Sequence, residues 1–176
     1  MQRREFLKAA AVSGIANPIS LDAQTELPKR RYKDDVRLST IGFGGIIMLD
    51  LEQDHANHVV ADAIERGINY FDVAPSYGSG EAEEKLGIAL QSLRKNVFLA
   101  CKAERRDGAG AREQLEASLR RLKTDHFDLY QFHAVGTVED VKKILAPGGA
   151  GETFMKAKRD GLVRYIGFFG TRCGCG

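Results

Sequence analysis

Residues 67–78 have the sequence GINYFDVAPSYG, in which a short apolar run follows Gly67 and stops at Pro75. Glycine favours chain turns and proline cannot donate a ladder hydrogen bond, so the pattern predicts a short buried strand over residues 69–74. Comparable apolar runs predict further strands at 36–41, 97–102, 127–132 and 163–168. Amphipathic helical stripes lie between these runs, which gives a repeated strand–helix unit of about 30 residues. Strands that alternate with helices predict an α/β fold with a parallel sheet.

Two architectures of this class are open, a doubly wound sheet and a (β/α)8 TIM barrel. The loop after the first predicted strand, residues 42–47, reads GFGGII and lacks the third glycine of the dinucleotide-binding fingerprint. This absence favours the barrel. Five units fit into the 176 residues, whereas an eight-stranded barrel takes about 250. The sequence therefore predicts an incomplete barrel over 36–170, truncated after strand five, with an unmatched tail at 171–176.

The charge balance argues against several classes of protein. There are 26 Lys and Arg residues against 24 Asp and Glu, a net charge of +2, so no basic footprint for nucleic acid is present. The sequence contains no run of 18 apolar residues, so it predicts no membrane-spanning helix. The three cysteines do not indicate a set of disulfide bonds, and the pair Cys173 and Cys175 lacks the further ligands of a metal site. We therefore predict no bound metal.

The N-terminus carries a targeting pattern. Residues 3–8 read RREFLK and precede a short, weakly apolar segment, which resembles a twin-arginine export signal over residues 1–23. The polar residues 24–35 predict a linker or irregular entry into the barrel. The expected location is periplasmic or exported, with the twin-arginine machinery as a partner, or cytoplasmic if the signal is not used. A frayed basic terminus is the alternative interpretation.

Three predicted strands end in an ionisable residue. These are Asp72, Lys102 and His133, with separations of 30 and 31 residues, or one strand–helix unit each. Taken alone, each has an ordinary structural explanation. In a parallel barrel, however, the carboxyl ends of the strands form one face, so the three side chains and the nearby Tyr77 are expected to converge there.

This set of residue types suits proton transfer to a carbonyl oxygen. A free phenol has a pKa of about 10, and a neighbouring ammonium makes proton release easier by stabilising the phenolate. A carboxylate fixes the ammonium, and an imidazole can orient the carbonyl. Tyr77 is then the proton donor. Since no side chain donates hydride, a reduced nicotinamide must supply it.

The same residues are similar to the signature of the aldo-keto reductase family. The resemblance covers residues 67–78, Glu81 with Leu86-Gly87, Lys102, the run DLYQFH at 128–133, and GLVRYIG at 161–167. It implies an eight-stranded barrel, NADPH or NADH as cofactor, and a small carbonyl substrate. It also implies catalytic roles for Asp72, Tyr77, Lys102 and His133, and cofactor contacts at Gly44, Gly45 and Asp72.

Departures from the family leave an alternative open. Where the family has a polar pair after strand five, this sequence has Phe169-Gly170. With part of the barrel missing, we expect weak or no NADPH binding by this chain. The alternative is therefore a catalytically inactive, truncated barrel that acts only as a pairing or remnant fragment. A metal-dependent hydrolase or lyase using Asp72 and His133 is disfavoured, because Lys102 repels a cation.

Overall fold

The computed structural model describes residues 27–33 and 36–170. Its strands are β1 (Lys29–Lys33), β2 (Val36–Ser39), β3 (Phe43–Gly44), β4 (Tyr70–Asp72), β5 (Phe98–Ala103), β6 (Phe127–Phe132) and β7 (Val163–Phe168). Its α-helices are α1 (Gln53–Glu65), α2 (Glu81–Leu90), α3 (Gly108–Arg121), α4 (Val138–Leu145) and α5 (Ala150–Arg159). The predicted signal at 1–23 and the predicted tail at 171–176, with Cys173 and Cys175, lie outside these residues.

Five parallel strands form one sheet in the order β3-β4-β5-β6-β7, so sequence neighbours are also neighbours in space. Every step from β4 to β7 runs through at least one helix, as parallel pairing requires. The predicted α/β fold, a partial TIM barrel of five units, is confirmed. The bounds predicted for the last two strands are those observed, and the other predicted strands from 69 onward shift or shorten by one to two residues at either end.

The start of the barrel differs from the prediction. The stretch 24–35, predicted as a linker, contains β1, and the predicted first strand at 36–41 contains β2; these two strands pair with each other as an antiparallel hairpin. The first strand of the parallel sheet is instead β3, which is two residues long. The sequence of β1, KRRYK, is charged and gives no apolar signal for a strand. Its main apolar contact is made by Tyr32, whose ring packs edge-on against Phe98 and Tyr165.

The core has two unequal parts, one on each face of the sheet. The larger part lies between strands and helices and includes Phe71, Leu99 and Tyr130. The smaller part, built on Phe98, Ala100 and Leu129, lies on the inner face and is covered by Val36, Leu38 and other side chains. The hairpin therefore closes the amino-terminal end of the barrel interior, and the opposite rim is left for the strand ends.

Helix ends follow the sequence signals unevenly. The sequence TVED at 137–140 predicts a capping box, and Thr137 does cap α4, where it accepts a hydrogen bond from the backbone N–H of Asp140. The sequence also predicts Gly67 as the C′ residue of α1, and this residue follows the C-cap Arg66 with φ of 90°. The position of Asp54 just before the apolar stripe of residues 56–64 predicts it as the N-cap of α1; this prediction is wrong, since the helix already begins at Gln53. No helix among the described residues is long and apolar enough to cross a membrane.

Candidate functional site

Asp72 and Lys102 form an ion pair at the carboxyl ends of β4 and β5. The parallel register places Asp72 opposite Ala100, so the side chain of Lys102, two residues further along, extends over the end of β4. Its ammonium pairs with Asp72 Oδ1 and donates to the backbone oxygen of Val73 at 3.4 Å. Lys102 is only 1% exposed, so this charge is removed from water and depends on these partners.

Tyr77 is held over the ammonium by the loop that follows β4. Lys102 Nζ lies 3.3 Å from the Tyr77 hydroxyl oxygen and donates to it, and it lies 5.1 Å from the centre of the ring. The loop is a 3₁₀ turn from Tyr77–Gly80 that leads directly into α2. The positive charge at this distance stabilises a negative charge on the phenol oxygen when its proton leaves.

His133 completes the group from the end of β6. Its ring stands edge-on to the ring of Tyr77, with centroids 6.4 Å apart and an interplanar angle of 87°. Its backbone is fixed on two sides, because its N–H donates to Ala103 O and Arg106 Nη2 donates to its carbonyl oxygen at 2.6 Å. Burial, and then the nearby Lys102 charge, hold the pKa of His133 below its usual value. The imidazole is therefore neutral near pH 7.

Two further side chains contact Asp72. The Tyr70 hydroxyl donates to Asp72 Oδ2 at 3.3 Å, and Gln131 Nε2 donates to the same oxygen at 3.4 Å. Burial, followed by the adjacent Asp72 charge, raises the pKa of Tyr70, so it stays a neutral donor. The alternation of side chains along the strand places Gln131 on the same face as His133, but the sequence pattern assigns it no role. The signal for Tyr70 was its place two residues before Asp72, on the same face of the strand.

Phe169 also lies at the site. Its ring centre is 5.3 Å from Lys102 Nζ, and its centroid is 5.7 Å from that of His133. In the sequence, Phe169 stands out only because it replaces a polar residue of the family. Its location at the rim could not be predicted, since it depends on the path of the chain after β7.

The two glycines predicted to contact a cofactor differ in their surroundings. Gly44 pairs with Asp72 at the rim, and a Cβ there would meet no atom within 4 Å. At Gly45 a Cβ would lie 2.8 Å from Val73 Cγ2 and 3.0 Å from the backbone oxygen of Asp72. Packing against β4 thus explains Gly45, whereas Gly44 offers open backbone beside Asp72. The cofactor roles of both stay predictions.

The rim therefore gathers the four sequence-predicted residues into one polar group. It offers a phenol proton, a buried cation beside it, and a neutral imidazole that can donate to or accept from an oxygen atom. Among residues 27–33 and 36–170, no three His, Cys, Asp or Glu side chains come together as metal ligands. The arrangement is suited to delivering a proton to an oxygen on which negative charge develops.

Comparison with known proteins identifies the family. Residues 40–172 match the profile described as the aldo/keto reductase family, which covers most of the chain. The protein belongs to this family. Among the relatives of this chain, the uncharacterized oxidoreductase YqkF of Bacillus subtilis strain 168 is 38% identical over 151 residues, which are 78% of this chain and 47% of the relative. Methylglyoxal reductase YeaE of Escherichia coli K12 is 36% identical over 128 residues, 67% of this chain and 45% of that protein.

Solved structures agree with this assignment. The holo form of aldo-keto reductase AKR11C1 from Bacillus halodurans aligns with a TM-score of 0.71 and 33% identity, over 83% of this chain and 51% of that one. An aldo-keto reductase from Klebsiella pneumoniae in complex with NADPH aligns with a TM-score of 0.68 and 28% identity, over 81% of this chain and 49% of that one. The chain thus spans about half the length of the relatives it matches.

Proposed function

We propose that the protein is a carbonyl oxidoreductase that transfers hydride between NADP(H) and an aldehyde or ketone, with Tyr77 as the proton donor. The observation that carries the proposal is the contact of Lys102 Nζ with the Tyr77 hydroxyl at 3.3 Å, made by an ammonium that is buried and paired with Asp72. A phenol is a poor acid near pH 7 unless a charge of this kind stabilises its conjugate base.

Each residue of the group has a distinct task. Tyr77 protonates the substrate oxygen, and Lys102 stabilises the phenolate that remains. Asp72 holds Lys102 in place and is itself held by Tyr70 and Gln131. His133 is neutral and its backbone is fixed on two sides at the rim, so its ring can donate a hydrogen bond that orients the carbonyl.

The residues at the rim fit the nicotinamide end of the cofactor. When bound, the reduced nicotinamide supplies the hydride. The open backbone at Gly44, the Asp72 carboxylate and the Gln131 amide would hold it, since they offer polar atoms and free space next to Tyr77. NADPH is the expected form, as in the Klebsiella pneumoniae relative, and NADH is possible.

The substrate is a small carbonyl compound. The described residues bring together the proton-transfer group but few walls around it, so the substrate class rests on the chemistry of Tyr77 and on the family. The name of the Escherichia coli relative, methylglyoxal reductase, suggests a short reactive aldehyde as the first substrate to assay.

The test is a comparison of Tyr77→Phe with Tyr165→Phe. Both changes remove one hydroxyl group, but the ring of Tyr165 stacks on Phe98 in the inner core, away from the rim. NADPH oxidation is followed with methylglyoxal and a panel of aldehydes. We expect Tyr77→Phe to lower kcat by at least about 100-fold, the usual contribution of a positioned general acid. Tyr165→Phe should keep the wild-type rate.

NADPH affinity, measured by fluorescence titration, should be the same in Tyr77→Phe and in the wild type, because the phenol acts on the substrate oxygen. An unchanged turnover in Tyr77→Phe would remove Tyr77 from the proton-donor role. Absence of any NADPH-dependent reduction by the wild-type chain would contradict the proposal for this chain. Together with the weak or absent NADPH binding expected of an incomplete barrel, this outcome would favour the catalytically inactive alternative.

A second candidate is a non-catalytic role as a fragment that pairs with another polypeptide. The observation in its favour is a groove of about 630 Å³ beside β7, lined by apolar side chains that include Leu145, Met155 and Phe168, each more than half exposed. Under this alternative the chain associates but reduces no carbonyl compound.

A further inference from the structure

Glu83 is a fully buried carboxylate on α2 that the proposed chemistry does not use. It accepts a hydrogen bond from Arg121 Nη1 of α3 at 2.8 Å and another from the Cys101 thiol of β5 at 3.4 Å. One carboxylate therefore connects two helices and the back of the sheet. Glu83 is removed from water, whereas the Arg121 side chain is 32% exposed. Burying a carboxylate is costly, and replacement of such a pair by apolar side chains is often neutral or stabilising, so stability alone explains it poorly.

The loop that carries Tyr77 lies directly against this ion pair. Gly78, Ser79 and Gly80 all have positive φ angles, of 63°, 54° and 103°. A left-handed conformation is unfavourable for Ser79 and persists only where the surroundings impose it. A Cβ on Gly80 would lie 2.7 Å from Arg121 Nε, and a Cβ on Gly78 would lie 2.5 Å from Leu49 Cδ2. The loop is thus held between Arg121 on one side and Leu49 on the other.

We propose that Glu83 and Arg121 are positioning residues that fix Tyr77 relative to Lys102, an inference that rests on the proposed function of Tyr77. Glu83 orients the Arg121 guanidinium, and the guanidinium packs against Gly80, three residues after Tyr77. Through Cys101, the same carboxylate contacts the residue next to Lys102 on β5. The positions of Tyr77 and Lys102, which form the 3.3 Å contact, thus both depend on the buried Glu83 carboxylate.

The kinetic test uses Arg121→Met and Glu83→Gln, with Arg120→Met and Glu84→Gln as controls. The controls make the same changes at exposed neighbours on the same helices. Because displacement of a reacting group by about 1 Å can cost up to 100-fold, we expect kcat to fall about 10- to 100-fold in the two test variants. KM should change little, because neither Glu83 nor Arg121 is among the groups proposed to hold the substrate or the cofactor. Arg121→Lys retains the charge opposite Glu83 and should recover part of kcat.

A variant that leaves no unpaired charge guards against simple unfolding. Glu83→Met combined with Arg121→Met removes both charges together and keeps side chains of similar length, so the fold should be retained. If the pair positions Tyr77, this double variant still loses kcat. A folded double variant with wild-type kcat would overturn the proposal.

A spectroscopic measurement separates this inference from the proposed activity. The chain is labelled with 3-fluorotyrosine, and the fluorine NMR signal of Tyr77 is assigned with Tyr77→Phe. We expect this signal to shift in Arg121→Met and in the double variant, and to stay in place in Arg120→Met. An unmoved signal in all variants would contradict positioning. If the wild type reduces no carbonyl, the proposed function fails, while the fluorine signal still decides whether the pair sets the position of Tyr77.

Discussion

At the scale of single residues, the site depends on which groups are charged when buried. Lys102 is paired with Asp72, whereas His133 has its pKa lowered by burial and by Lys102. In the unfolded chain an imidazole has a pKa of about 6.5. Since the folded pKa of His133 lies below this value, the unfolded state binds this proton more readily, and the contribution of His133 to the free energy of unfolding falls as pH drops below about 6.5.

We predict that His133→Gln flattens this part of the pH dependence. Urea unfolding is measured at pH 7.5 and at pH 5 for the wild type, His133→Gln and the control His55→Gln. His55 is exposed on α1, so folding changes its solvation little, and its variant should lose stability with acid as the wild type does. Equal acid losses in His133→Gln and the wild type would show that His133 is not the group responsible.

At the scale of elements, the crossing of α2 over α3 depends on Gly87. A Cβ there would overlap the backbone oxygen of Arg121 and lie 2.7 Å from Leu122 Cα, and backbone cannot move aside as a flexible side chain can. Replacement of a helical glycine by alanine normally stabilises a helix by about 1 kcal/mol. At Gly87 the overlap should reverse the sign, and we predict a net destabilisation of about 1–3 kcal/mol, the usual cost of overpacking.

Gly110→Ala, in the first turn of α3, is the matched control. A Cβ there meets only the guanidinium end of Arg105, whose side chain is mostly exposed and can move. In thermal and urea unfolding, Gly87→Ala should therefore be less stable than the wild type. Gly110→Ala should be more stable than the wild type or equally stable. Equal stabilisation of both variants would mean that the two helices separate readily at Gly87.

Several elements could be predicted from the sequence because their signals are local. β6 and β7 are mainly apolar runs with turn residues nearby, such as Gly161, and their bounds match the prediction. β3 could not be separated from its glycine-rich surroundings, since two residues carry no periodicity. The charged strand β1 has the composition of a linker, and only its pairing with β2 reveals it.

The same distinction applies to the site. Strand register alone brings Asp72, Lys102 and His133 to one rim, so regular spacing in the sequence was enough to group them. The ion pair of Glu83 and Arg121 joins residues 38 positions apart on two helices, and it depends on how those helices pack. No local pattern in the sequence indicates that these two side chains meet.

At the scale of the whole molecule, the described sheet is open at β7. That strand pairs with β6 only, and beside it lies the apolar groove of about 630 Å³. Unpaired strand edges and exposed apolar patches favour association with another chain. We therefore predict that the 176-residue chain self-associates at micromolar concentrations, as measured by sedimentation velocity over a range of dilutions.

Met155→Lys tests whether the groove is the contact surface. Met155 is 53% exposed on α5 within the groove, whereas Ile88, the site of the control Ile88→Lys, is 39% exposed on α2 and lies outside it. Burial of a methionine side chain contributes about 1.5–3 kcal/mol. Met155→Lys should therefore weaken association by about tenfold or more, since about 1.4 kcal/mol corresponds to a factor of ten. Equal weakening by both lysines would indicate a general charge effect and remove the groove from the interface.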